Sequence, residues 1–180
     1  MSAKGKLLLI VGPSGAEKDI LIDGLRSAIR EDEGFVFPVR FPLARPRLVL
    51  RYPPIVDDDL EKGRVVVINV SRAIIEEARR RYPKTRVINV TIKPEILEQR
   101  LRDRGRESEA EIQERIEHSQ MFDLDGENMT EFANNLSIEE GREEFVSLVR
   151  EIGQGNENGC RPPTRSEDHP AKPISPRARG

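Results

Sequence analysis

The sequence has little cysteine, no long apolar run and almost no net charge. Its single cysteine, Cys160, excludes an internal disulfide and a cysteine-based zinc site, and suits a reducing compartment. The longest apolar run, Leu7 to Val11, is far too short for a membrane span, and the six residues before it are too few and too polar for a signal peptide. The 30 basic and 32 acidic residues argue against a nucleic-acid-binding protein held by phosphate neutralisation. We therefore expect a soluble cytoplasmic protein that binds neither nucleic acid nor membranes.

The composition divides the chain into two parts. Its 180 residues are enough for one domain, whose apolar side chains end near Ile152. Residues 153–180 include five prolines and four glycines and few aliphatic side chains, a composition that cannot offset the entropy of ordering. We predict a folded domain over residues 1–152 and a disordered tail over residues 153–180. The oligomeric state stays open.

The order of apolar runs predicts an α/β fold. Three continuous runs indicate buried strands at Leu7–Val11, Val65–Val70 and Val87–Ile92. Helical spacing between and after them predicts helices from about Ile20 to Glu31, over about 72–81, from about Pro94 with Leu101 on its apolar face, and over about 109–117 and 138–152. Residues 35–54 hold five prolines, which permit one or two edge strands but no long helix. Such alternation predicts a mostly parallel sheet with helices on both faces.

A glycine-rich segment joins the first strand to the first helix, where a phosphate-binding loop belongs. It comprises Gly12, Pro13, Ser14, Gly15, Ala16, Glu17, Lys18 and Asp19. The phosphate-loop pattern is Gly-x4-Gly-Lys-Ser/Thr: backbone N–H groups cradle phosphate oxygens, the lysine reaches the outer phosphates and the next side chain helps hold Mg²⁺. Gly12, Gly15 and Lys18 stand at the required places. The alternative is a glycine-rich turn without a ligand.

Two residues depart from this pattern. Asp19 replaces the hydroxyl residue, and its carboxylate can bind Mg²⁺ directly or through water. Glu17 replaces the second glycine, which adds a Cβ and a negative charge beside the expected phosphates. We expect Glu17 to weaken nucleotide binding, because an outward turn of its carboxylate would reduce the repulsion but not the steric obstacle.

A second cluster of candidate residues is rich in arginine. Arg104, Arg106 and Arg115 follow the third strand, and Gly105 interrupts the run where a lid would hinge. Arginine suits phosphoryl transfer because its planar guanidinium stays charged and binds phosphate oxygens in pairs. The alternative is a solvated helix face, with Glu98 and Arg102 as an i,i+4 pair.

Four stretches together resemble the ribose 1,5-bisphosphate phosphokinases, relatives of guanylate kinase in bacterial phosphonate metabolism. They cover about residues 6–152. The stretches are the loop Gly12–Asp19, the strand and turn Gly63–Arg72, the lid region from Pro94 through Arg104, Gly105, Arg106 and Glu107 to Arg115, and Asn134-Asn-Leu-Ser-Ile-Glu-Glu before the last helix. In that family aspartate commonly follows the loop lysine, as Asp19 does here.

The resemblance implies ATP-dependent phosphorylation of ribose 1,5-bisphosphate to 5-phosphoribosyl 1-diphosphate. It implies that the loop residues, with Asn134 near the adenine, bind ATP, and that Lys18, Arg104, Arg106 and Arg115 assist transfer. Asp19 would hold Mg²⁺. It also implies that Asn69, Ser71 and Arg72 face the sugar phosphate, although Asn69 could equally cap a strand and Ser71 the next helix.

The acceptor region is shorter than the resemblance requires. Only Phe41 to Leu50 stands where relatives carry a substrate-binding insert of several dozen residues, and Arg40, Arg45, Arg47 and Arg51 are the only local substitutes for its arginines. Two alternative functions therefore stay open. One is a non-catalytic relative that binds nucleotide weakly or serves as an interaction module, and the other is a nucleoside monophosphate kinase of the guanylate type.

Three further features receive non-catalytic interpretations. Asp57, Asp58 and Asp59 resemble the start of a helix more than a metal cluster. His118 in an amphipathic helix and His169 among prolines indicate no metal site.

Overall fold

A computed structural model of the chain contains one five-stranded, fully parallel sheet. It describes residues 5–13, 15–38, 53–120 and 128–155. The strands are β1 (Lys6–Val11), β2 (Phe35–Val36), β3 (Val65–Asn69), β4 (Thr85–Thr91) and β5 (Met129–Ala133). They lie in the order β2-β3-β1-β4-β5. The three strands predicted from apolar runs are thus the three central parallel strands, as expected.

The central strands are buried on both faces, which explains their continuous apolar sequences. Leu8 and Ile10 of β1 enter one core cluster, and Leu7, Leu9 and Val11 enter the other. Because alternate side chains of a strand point to opposite faces, a strand covered on both sides needs apolar residues at every position.

Helices cover both faces of the sheet, as the predicted fold class requires. They are α1 (Lys18–Ala28), α2 (Pro53–Glu61), α3 (Ile75–Arg81), α4 (Pro94–Arg104), α5 (Glu109–Gln120) and α6 (Ile138–Gly153), with a short 3-10 helix at Arg72–Ile74. The first core cluster includes side chains of α1, α4, α5 and α6, whereas the second includes those of α2 and α3. Phe132 of β5 meets Phe145 of α6 edge-on at 5.2 Å between ring centres.

The helix α2 corrects the interpretation of the three aspartates. We expected Asp57 to Asp59 at a helix start, but α2 begins at Pro53 and these residues lie in its second half. Proline suits a first helical turn, whose N–H groups have no partner within the helix. Asp57 accepts a 2.8 Å hydrogen bond from the Tyr82 hydroxyl, and Asp59 pairs with Arg64 at 3.0 Å. The described residues contain no cluster of His, Cys, Asp or Glu suited to a metal ion.

The edge strands are the least predictable part of the sheet. Phe35–Val36 forms the expected edge strand β2. The other edge, β5, was not predicted, because Phe132 is its only buried residue and its sequence Met-Thr-Glu-Phe-Ala has no continuous apolar run.

Several predictions fall outside the described residues. They concern Ser14 of the loop, the apolar piece Leu48–Leu50, the substitute arginines Arg40, Arg45, Arg47 and Arg51, and the tail from residue 156 onward with Cys160 and His169. Within the described ranges, no helix is long and apolar enough to cross a membrane.

Candidate phosphate-binding site

The glycine-rich loop leaves the carboxyl end of β1 at the centre of the sheet and leads into α1. Gly12 has φ +151°, and a Cβ built on it would lie 2.4 Å from the carbonyl oxygen of Val90 in β4. A Cβ on Gly15, at φ +95°, would lie 2.7 Å from the Leu97 side chain of α4. Both glycines are therefore needed for the loop to pass this closely over the sheet and α4.

The lysine of the loop lies folded over the loop backbone. The Lys18 ammonium donates hydrogen bonds of 2.9 Å to the Gly12 carbonyl and 2.6 Å to the Pro13 carbonyl. The predicted phosphate-contacting cation thus stands at the loop, beside the first residues of α1. Phosphate oxygens are competent acceptors for the same N–H groups.

Asp19, which the sequence predicts to bind the metal, and Asn69, which it predicts to face the acceptor, are in contact. The Asn69 amide at the end of β3 donates a 3.2 Å hydrogen bond to a carboxylate oxygen of Asp19 in α1. This contact joins residues 50 positions apart, because β1 and β3 are adjacent parallel strands whose carboxyl ends share one edge. Mg²⁺ is coordinated in proteins by oxygen atoms, including those of carboxylates and amides.

Glu17 points towards α4. Its carboxylate lies 3.0 Å from Nη2 of Arg104 and 3.3 Å from Nη1 of Arg100, and its side chain is only 8% exposed. Its backbone is left-handed, with φ 55° and ψ 31°, a conformation that the glycine of the usual pattern adopts easily. The carboxylate therefore turns towards α4, where two arginines compensate its charge.

Asn134 contacts the backbone of the loop. Its side chain is buried and donates a 3.1 Å hydrogen bond to the Ala16 carbonyl, while its backbone N–H bonds to Thr91 at the end of β4. The structure thus places Asn134 against the loop backbone, through a contact that the sequence did not predict.

The remaining predicted residues lie on α5, directly after α4 and directly after β3. Arg115 of α5 pairs with Glu107 at 3.4 Å, and Glu107 is 11% exposed. Burial lowers the pKa of the Arg72 guanidinium, which begins the 3-10 helix after β3. Ser71 and Arg106 are exposed. Ser71 stands at the N-cap of that 3-10 helix, although its side chain makes no capping hydrogen bond.

Sequence analysis assigned no role to two residues of this arginine-rich segment, Arg100 and Glu107, although both belong to it. Arg100 is 16% exposed and donates a 2.7 Å hydrogen bond to the Leu136 carbonyl, besides its contact with Glu17. It lies one helical turn before Arg104, so its i,i+4 spacing is the signal that could have indicated a shared partner.

Known proteins resemble this chain over most of its length. The chain is 33% identical to the ribose 1,5-bisphosphate phosphokinase PhnN of Azotobacter vinelandii, over 81% of this chain and 96% of that protein. It is 30% identical to the PhnN of Brucella melitensis, over 83% and 94% respectively. No protein-family model matches the chain.

Solved structures support the fold. A gluconokinase from Sinorhizobium meliloti superposes with a TM-score of 0.56 at 15% identity, covering 89% of this chain and all of that one. A sugar kinase from Janibacter superposes with a TM-score of 0.54, over 81% and 95%. At such identities these structures establish the kinase fold, while the PhnN relatives establish the family. The chain belongs to the ribose 1,5-bisphosphate phosphokinase family.

Proposed function

We propose that this protein transfers the γ-phosphate of MgATP to ribose 1,5-bisphosphate and forms 5-phosphoribosyl 1-diphosphate in the cytoplasm. The relatives are named for ribose 1,5-bisphosphate. The observation that carries the proposal is the position of Lys18, folded over a close-fitting glycine loop at the end of the central strand. The proposal extends the kinase fold and family to a particular reaction.

The loop Gly12–Asp19 would hold the ATP phosphates. Successive backbone N–H groups and the start of α1 favour an anion at this place. Lys18 would exchange its two carbonyl acceptors for phosphate oxygens, which are charged and therefore form stronger hydrogen bonds. Asn134 would keep the Ala16 backbone in place during this exchange.

The residues at the ends of β3 and α1 fit a magnesium ion. Asp19 supplies carboxylate oxygens, and the Asn69 amide lies within hydrogen-bond distance of it. Bound there, Mg²⁺ would offset charge on the transferring phosphates. Asp19 would also orient the Asn69 amide through their hydrogen bond.

Transfer would depend on placement and charge rather than on a covalent intermediate. Arg104, Arg106 and Arg115 would offset the negative charge of the transferring group. Asn69, Ser71 and Arg72 would face the sugar phosphate, since open α/β sheets bind ligands beyond the carboxyl ends of their strands.

The alignment with a relative includes positions that have no counterpart in this chain. The alignment with the Azotobacter protein extends over 176 positions but occupies only 81% of the 180 residues of this chain. Part of the relative therefore has no counterpart here. This supports the shortened acceptor region inferred from the sequence and makes the acceptor the first property to test.

The test is a direct assay of the product by ³¹P NMR. The protein is incubated with MgATP and ribose 1,5-bisphosphate, and in parallel with GMP as the alternative acceptor. We expect a new diphosphate signal with the sugar bisphosphate, none with GMP, and none with the Lys18→Ala variant. A product with GMP alone would identify a nucleoside monophosphate kinase. MgATP binding without transfer to either acceptor would identify a non-catalytic relative.

A further inference from the structure

Glu17 occupies a position where the phosphate-loop pattern has glycine, and its side chain links the loop to α4. The two ion pairs join residues 83 and 87 positions apart in the sequence, and Glu17 is almost fully buried between them. Its left-handed backbone costs free energy that a glycine would not lose. A side chain retained in a disfavoured conformation, in contact with two arginines, suggests a contribution that glycine cannot make.

Glu17 positions the arginines and leaves N–H donors of Arg104 available. Arg104 contacts the carboxylate through Nη2, and a guanidinium carries five N–H donors in a planar fork. The Nη1 and Nε donors therefore remain for phosphate oxygens. Arg100 is fixed from a second side by its hydrogen bond to the Leu136 carbonyl.

Arg100 holds the Glu17 carboxylate in place before a nucleotide binds. Its Nη1 atom is buried and has no hydrogen bond of good geometry, so the nearby Glu17 carboxylate is its compensating charge. Withdrawing that carboxylate in the absence of a nucleotide would leave a cation that is only 16% exposed without its counter-charge. The contact between Glu17 and Arg100 is therefore present when the nucleotide arrives.

We propose that Glu17 is a positioning residue, which holds Arg100 and Arg104 at the phosphate loop before the nucleotide arrives. The proposal rests on the proposed binding of MgATP at this loop, and it concerns the affinity for the nucleotide rather than the identity of the acceptor. Pre-placed arginines need no ordering at the moment of binding, which favours affinity. The sequence alone suggests the opposite, an obstructive charge.

The experiment measures MgATP affinity by titration calorimetry in matched variants. Glu17→Gln removes the charge at nearly constant shape. Glu98→Gln is the control, because Glu98 pairs with Arg102 of the same helix at 2.8 Å without contacting the loop glutamate. Both substitutions are also made in an Arg104→Gln background.

We expect Glu17→Gln to weaken MgATP binding at least tenfold and Glu98→Gln to change it less than twofold. In the Arg104→Gln background, Glu17→Gln should change affinity less than threefold, since one of the two arginines through which it acts is gone and Arg100 alone remains. A role confined to stability would instead lower the melting temperature and leave both affinities unchanged. If Glu17→Gln is too unstable to titrate, Glu17→Gly takes its place, because glycine suits this backbone.

Equal or tighter MgATP binding by the Glu17 variant would overturn the proposal, as would an undiminished effect in the Arg104→Gln background. Absence of MgATP binding by the wild-type protein would overturn it as well. A wild-type protein that binds MgATP but does not phosphorylate ribose 1,5-bisphosphate would contradict the proposed function alone. The two failures are therefore distinguishable.

Discussion

The Asn134 side-chain amide donates a 3.1 Å hydrogen bond to the main-chain carbonyl of Ala16, 118 residues earlier in the chain. The contact is buried, and it ties the segment after β5 to the middle of the phosphate loop. Asn134 therefore has a structural effect on the loop that can be measured separately from nucleotide contact.

Asn134→Ala should lower the free energy of unfolding by about 1–3 kcal/mol, because it leaves the Ala16 carbonyl without its donor. Asn135→Ala is the matched control. The Asn135 side chain accepts a solvent-exposed hydrogen bond from the Lys93 N–H, and water can take the place of this acceptor when the side chain is removed. Urea unfolding measures both. Equal destabilisation by the two variants would contradict the buried role of Asn134.

Lys18→Ala should abolish stabilisation by MgATP. A ligand that binds only the folded protein raises the melting temperature by mass action, and Lys18 is the cation placed on the loop carbonyls. Lys6→Ala is the control, because Lys6 also donates to a carbonyl, that of Ile152 at 2.7 Å, but away from the loop. We expect Lys6→Ala to lower the basal melting temperature and keep the shift with MgATP. A full shift in the Lys18 variant would exclude the loop as the nucleotide site.

Asp19→Asn should remove the advantage that Mg²⁺ gives to ATP binding. The neutral side chain keeps its hydrogen-bonding capacity towards Asn69 but loses the charge that attracts a divalent cation. ATP affinity is measured with Mg²⁺ and with EDTA, and the ratio of the two should fall several-fold. Asp23→Asn, on the same helix in a 3.7 Å pair with Arg26, should leave the ratio unchanged. An unaltered ratio in Asp19→Asn would place the metal elsewhere.

Gly12→Ala should destabilise the fold more than Gly105→Ala. Both glycines have positive φ, but the new Cβ at position 12 would lie 2.4 Å from the Val90 carbonyl, whereas that at position 105 has its nearest neighbour at 4.0 Å. The second substitution costs about 1–2 kcal/mol for backbone conformation alone. The first adds a clash that β4 must relieve by moving. Similar unfolding free energies for the two variants would show that the loop moves to relieve the clash at little cost in free energy.

The hydroxyl of Tyr82 makes the stability depend on pH in the alkaline range. Burial and the hydrogen bond to Asp57 raise the pKa of Tyr82 from 10.0 to about 12. The protonated phenol is favoured in the folded state, so this stabilisation is complete below pH 10 and is lost as the pH rises from about 10 to 12. The stability difference between wild type and Tyr82→Phe should shrink over that window. A difference that stays constant from pH 9 to 12 would contradict the assignment.

The fold could be predicted largely because its central elements carry local signals. β1 and β3 are apolar at nearly every position and β4 is apolar at its centre, since both faces are covered, and α1 follows a glycine loop at the required spacing. The position of α2 and the strand β5 were missed for physical reasons. Two prolines at the start of α2 suggest a break rather than a beginning, and β5 has one buried side chain to reveal its pairing.

The sequence by itself determined the α/β class, the phosphate loop with its lysine, and the arginine-rich segment, because each depends on residue types at short spacing. Only the tertiary structure decided the direction of the Glu17 carboxylate. Positions 17, 100 and 104 meet because β1 and β4 are neighbouring parallel strands, so that the loop after one lies against the helix after the other. Whether a charge faces a phosphate or an arginine depends on that packing, which no spacing along the chain records.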